Sequence, residues 1–143
     1  MHHKLLFISL FLFLAMPQKG WADRLPDDLN SAVAYAYFRV GDDDSTVPAI
    51  SDEDFQSQMD EISNPANGYH PESLDTILKA QDNGHILPEK TITLTFEGED
   101  SSFLSHAFPI LTERHIPFTL FISPGQIDQG QKSGDPSILT WDD

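Results

Sequence analysis

The chain has 143 residues, with 8 Lys+Arg against 23 Asp+Glu, a formal net charge of −15 and no cysteine. That length allows one domain at most. The acidic balance opposes nucleic acid, since a polyanion is repelled, and the missing cysteine excludes a disulfide framework, a thiolate nucleophile, a zinc finger and an iron–sulfur site. A hydrophobic fraction of 39%, with 10% aromatic residues, is enough to build a core.

Residues 1–22 read as a secretory signal peptide. Lys4 gives a positive start, residues 5–16 (LLFISLFLFLAM) form an apolar run, and Gly20 and Ala22 are small residues at −3 and −1 of a cleavage site. The run is shorter than the roughly 20 apolar residues of a comfortable span; an uncleaved anchor is the alternative reading. Cleavage removes His2 and His3, so they are not read as a metal site. The expected product, residues 23–143, is an acidic chain with no stable membrane span, secreted or periplasmic in a bacterial envelope.

Residues 31–40 (SAVAYAYFRV) are rich in β-branched and aromatic residues and predict a strand. An acidic loop follows at Gly41-Asp42-Asp43-Asp44-Ser45. It lacks the alternation and the distal Glu of an EF-hand calcium loop and reads as solvated. Ser51 with Asp54 has the form of a capping box, and Phe55, Met59 and Ile62 make one apolar helical face, ended by Asn64-Pro65. A second helix is expected to open with Pro71 at its first position, bury Leu74, Ile77 and Leu78, and stop at Asn83-Gly84.

Residues 91–96 (TITLTF) predict a strand, residues 102–115 a helix with Phe103, Ala107, Ile110 and Leu111 on one face, and residues 117–123 (PFTLFIS) a parallel strand covered on both faces. Together they form a βαβ unit, with a right-handed crossover expected. Ligands of such units sit beyond the carboxyl ends of the strands, which points to residues 97–102 and 124–129.

Residues 87–141 resemble the polysaccharide deacetylase (NodB-homology) family of carbohydrate esterases. The likeness rests on a strand ending in Thr-Phe, on Ala107-Phe108-Pro109-Ile110-Leu111, on Ile116-Pro117, on the strand 118–123 and on Leu139-Thr140-Trp141-Asp142. Upstream, residues 34–40 and 50–62 resemble the first strand and following helix of envelope members. The resemblance implies an α/β fold, a partial form of the family's distorted β/α barrel, with residues 23–143 as an incomplete deacetylase domain. It also implies a hydrolase of carbon–nitrogen, non-peptide bonds in an N-acetylated envelope polysaccharide, working through a divalent metal such as zinc.

In that family a Thr-Phe-Asp-Asp motif supplies a general base and then a metal ligand, and two His from a later His-Ser/Thr-x-x-His motif complete the metal site. Alignment puts Glu97 at the base position and Gly98, which has no side chain, at the ligand position. Glu99 and Asp100 are candidate substitutes; the competing reading is three solvated acids. Phe38 stands where the envelope members often carry His, and the sequence ends at Asp143 before a His-Ser/Thr-x-x-His motif.

His70, His85, His106 and His115 have no metal-ligand spacing and read as structural or surface residues; His106 and His115 fall on opposite helix faces, and His115 suits a helix C-terminus. The expectation is therefore a truncated pseudoenzyme that binds no catalytic metal. The alternative function is a non-catalytic exported module binding an amino-sugar glycan, for which Phe38, Phe96 and Trp141 are stacking candidates, each equally readable as core. Ser101, Ser102 and Ser105 lack a nucleophile elbow, and the pair Glu97/Glu99 is weak support for a glycosidase. A sheet edge at residues 118–122 is expected to invite pairing with another chain.

Overall fold

The computed structural model describes residues 31–41 and 48–143. The expected signal peptide and the run Asp42-Asp43-Asp44 lie outside the described residues.

The middle of the molecule is β3 (Thr91–Glu97), an alternation of threonine with large apolar residues in which every position from Thr91 to Phe96 is buried. Along one side runs β1 (Val33–Tyr37), parallel and in register from Val33 opposite Ile92 to Tyr37 opposite Phe96. On the other side the two-residue β2 (His70–Pro71) pairs with Thr91 and Ile92, and β4 (Phe118–Phe121) pairs with Leu94 through Glu97, both parallel. The period of two then divides the sheet. Ile92, Leu94 and Phe96 face one way with Tyr37, and the threonines face the other. Two of those threonine hydroxyls are satisfied by donating to backbone oxygens, Thr95 to Tyr35 at 3.2 Å and Thr91 to Pro88 at 2.6 Å.

The apolar face is covered by α1 (Asp52–Ser63) and by the helix leading to β4. Ser51 caps α1 as its sequence predicts: its Oγ accepts the Asp54 N–H at 3.0 Å. Asp52, Glu53 and Asp54 complement the positive helix terminus, and Phe55, Met59 and Ile62 are the buried residues. Phe96 lies at the centre of the packing, 5.2 Å from the Tyr37 ring, 5.0 Å from Phe103 and 6.1 Å from Phe55.

The expected helix over residues 102–115 is not one α-helix. It begins as a π-helical turn, Phe103–Ala107, and becomes α3 (Phe108–Glu113). Pro109 gives the reason: it has no N–H to donate, and its ring would strike the carbonyl one α-turn back. The wider turn, closed by the Phe108 N–H on Phe103 O, relieves that clash and still buries Phe103, Ala107 and Leu111.

Three other expectations are corrected. The second helix, α2 (Leu74–Asp82), is capped by Ser73, whose Oγ accepts the Thr76 N–H at 3.1 Å. Pro71 lies before it in β2, because a hydroxyl can satisfy a helix N-terminus and a prolyl ring cannot. Of its three apolar residues Ile77 is buried and Leu78 is exposed. The strand expected to be covered on both faces is the edge of the sheet among the described residues: Phe118, Thr119 and Leu120 are half-buried, and Phe121 is 47% exposed. Residues 124–129, expected beyond the carboxyl end of the strand, lie there as the start of α4 (Pro124–Ser133). Its Gly130 hides the helix in the sequence yet is required by packing, since a Cβ there would come within 2.5 Å of Ile138.

Truncating Phe55 to Ala should lower stability by about 3–5 kcal/mol, read by urea denaturation. Burial pushes the Tyr37 phenol above its ordinary value, and burial with the neighbouring Tyr69, Tyr37 and Glu61 does the same for Tyr35. The folded values lie above the unfolded value of about 10, so this contribution is complete below that pH and is lost as pH rises past it. Tyrosinate absorbance from these two residues should therefore appear together with loss of circular dichroism, not before it.

Candidate functional site at the strand ends

Where β3 and β4 end, Glu97, Gly98, Glu99, Phe121, Ile122, Ser123 and Gln126 line a shallow depression of about 460 Å³. This is the carboxyl end of a parallel sheet, where the sequence places the chemistry. Glu97 is the last residue of β3 and is exposed; its side chain makes no hydrogen bond or ion pair among the described residues. Gly98 has φ +114, with open space where a Cβ would stand, and its N–H donates to Phe121 O at 3.0 Å. That left-handed backbone turns the chain out of the strand direction.

The turn carries Glu99 inward, to 6% exposure. Its Oε1 accepts the N–H of Ser123, the residue that opens α4, in a short hydrogen bond. Its backbone oxygen accepts the Leu139 N–H at 2.7 Å. Asp100 is also engaged: Oδ2 pairs with Arg39 Nη1 at 3.0 Å and Oδ1 accepts the Ser102 N–H at 2.8 Å. The reading of three solvated acids is thus corrected. Glu97 alone faces water freely, Glu99 ties β3 to the β4–α4 turn, and Asp100 ties it to the segment after β1.

A divalent cation requires several oxygen or nitrogen ligands converging on one point. Gly98 offers none, and the carboxylates of Glu99 and Asp100 are committed to N–H groups and a guanidinium. Among the described residues no three His, Asp or Glu side chains converge. The residues present do not fit the metal that the family resemblance implies.

The histidines are elsewhere. His106 Nδ1 is 2.8 Å from Asp52 Oδ1, with its ring against Gly41, and links the π-helical turn to α1. His115 lies past α3 with Nδ1 3.2 Å from Glu113 O, and His70 and His85 are exposed. Of the stacking candidates, Phe96 is core, Phe38 is half-buried, and Trp141 is 51% exposed with its indole N–H donated to Asp128 Oδ1 at 2.8 Å. Ser101 and Ser105 line a separate open groove of about 550 Å³ that no histidine borders. Sequence reasoning missed Phe121 and Ile122 as site residues. Nothing in PFTLFIS distinguishes the two residues that end up exposed from those half-covered.

No protein-family model matches the chain. The poly-β-1,6-N-acetyl-D-glucosamine N-deacetylase of Escherichia coli K12 is 47% identical over 45 residues, which is 32% of this chain and 7% of that protein. IcaB from Ammonifex degensii superposes with a TM-score of 0.65 at 32% identity, over 78% of this chain and 45% of that one. In sequence and in fold the chain is similar to NodB-type polysaccharide deacetylases. The de-N-acetylase of Aggregatibacter actinomycetemcomitans shares the fold, with a TM-score of 0.67 at 23% identity over 78% of this chain and 48% of that one. The chain therefore spans less than half of either solved deacetylase-type structure, and its sheet and helices are part of the family's β/α architecture.

Replacing Glu99 with Ala removes the partner of a buried N–H and should cost about 1–3 kcal/mol in urea denaturation. Glu97→Ala, at an exposed and unpaired position, should change stability by less than about 0.5 kcal/mol.

Proposed function

We propose that this deacetylase-family chain engages an N-acetylated envelope polysaccharide and, as these 143 residues, hydrolyses none of its amide bonds. The observation carrying this is the fate of the acids after β3: Gly98 at the metal-ligand position, with Glu99 and Asp100 both bound to protein groups. Glu97 occupies the general-base position with its carboxylate in water. A positioned base contributes about 10²–10⁴-fold, whereas enzymes reach at least about 10⁶-fold, and no residue in the depression offers a cation to polarise the acetyl carbonyl. The polysaccharide is inferred from the Escherichia coli relative, whose name gives poly-β-1,6-N-acetyl-D-glucosamine as its substrate.

Export is part of the same proposal, with the mature chain beginning at Asp23. No helix among the described residues is long and apolar enough to cross a membrane. The edge of β4, which ends at Phe121 and has no second partner strand among the described residues, is where a second chain would pair.

Calorimetric titration with zinc should show no stoichiometric tight binding, and N-acetylated β-1,6-glucosamine oligomers should release no acetate. Either event would overturn the proposal. Gly98→Asp should cost about 1–3 kcal/mol, because the strain at φ +114 lies in the backbone, and should gain no zinc affinity. The intact mass of the exported protein should show cleavage before Asp23.

A further inference from the structure

The strand-end depression has a chemical character of its own. Glu97 and Phe121 are register partners across the β3–β4 pair, so their side chains rise from the same face of the sheet at neighbouring-strand spacing, about 5 Å. Phe121 is 47% exposed and Ile122 beside it 41%. Gln126, on the first turns of α4, adds an amide to the rim. No Lys, Arg or His lines the depression, and Arg39 is held by Asp100. The site therefore presents one free carboxylate next to an aromatic ring, in a chain whose net charge is −15. That combination complements a ligand with a cationic group beside an apolar C–H face.

We propose that the depression binds the deacetylated, amine-bearing form of an amino-sugar polymer in preference to its N-acetylated form. The ammonium of a glucosamine unit sits at Glu97, and the C–H face of its ring lies on Phe121. An acetamide carries no charge and offers the Glu97 carboxylate only a neutral N–H. This rests on the reading of the chain as a non-hydrolytic polysaccharide-engaging member of its family. It deepens that reading by naming the deacetylated units of that polymer as the ones the site prefers.

The test uses a β-1,6-linked glucosamine tetramer and its fully N-acetylated counterpart, titrated calorimetrically into the mature chain at pH 6 and low salt. The amine tetramer should bind about ten-fold more tightly, the scale of one exposed ion pair supported by a ring contact. Glu97→Gln should abolish that preference, and Phe121→Ala should weaken binding by about five-fold. Asp82→Asn, an exposed acid on α2 outside the depression, should change neither. Equal binding of the two tetramers, or an amine preference that survives Glu97→Gln, overturns this inference and leaves the polysaccharide reading standing. Binding of neither tetramer overturns the polysaccharide reading and this inference with it. Acetate released from the acetylated tetramer overturns the non-hydrolytic reading alone.

Discussion

β3 is paired along both of its edges and buried on both of its faces, and that double constraint places everything else. Burying a hydroxyl in such a strand is costly unless it finds a partner, a cost left standing at Thr93, whose buried Oγ1 has no hydrogen-bond partner among the described residues. Thr95 and Thr91 offset it by donating to carbonyls of β1 and of the segment before β3. With the threonines on one side, Ile92, Leu94 and Phe96 are left to organise the aromatic packing on the other. Phe96 touches Tyr37, Phe55, Phe103 and Phe118, so the strand that leads into the site is also the one held most firmly by the core.

The end of that strand gives its acids architectural roles. Gly98, at φ +114, turns the chain so that the next acid points inward. Glu99 then joins three segments, through its carboxylate to the start of α4 and through its backbone to Leu139. Asp100 adds the bond to Arg39. Each acid removed from solvent in this way strengthens the loops and ceases to be available as a ligand. Glu97 keeps its freedom because it still belongs to the strand and points to the open side.

The likeness in fold and the site chemistry rest on different grounds. The likeness to solved relatives covers 78% of this chain and lies in how strands and helices succeed one another. The lack of a fit for a divalent cation lies in three consecutive residues after β3. The aromatic and aliphatic core around Phe96 and Leu111 is built without residues 98–100.

Much of this protein is legible in its sequence. The capping of α1 by Ser51, the buried face of Phe55, Met59 and Ile62, the strand at residues 91–96 and its parallel partner all depend on side-chain periodicity and short-range hydrogen bonds, and each can be read without coordinates. That Gly98 has no side chain to offer where the family resemblance expects a ligand is also read from the sequence. The remainder depends on contacts distant in sequence, which no local pattern encodes. The partners of Glu99 and Asp100 lie on the turn after β4 and on the segment after β1. Gly130 is tolerated in a helix because Ile138 presses against it. The exposure of Phe121 and Ile122 goes with the place of β4 at the sheet's edge among the described residues. A run of apolar residues reads the same whether one face or two will be covered, so the ring beside Glu97 becomes visible only once the strands are paired.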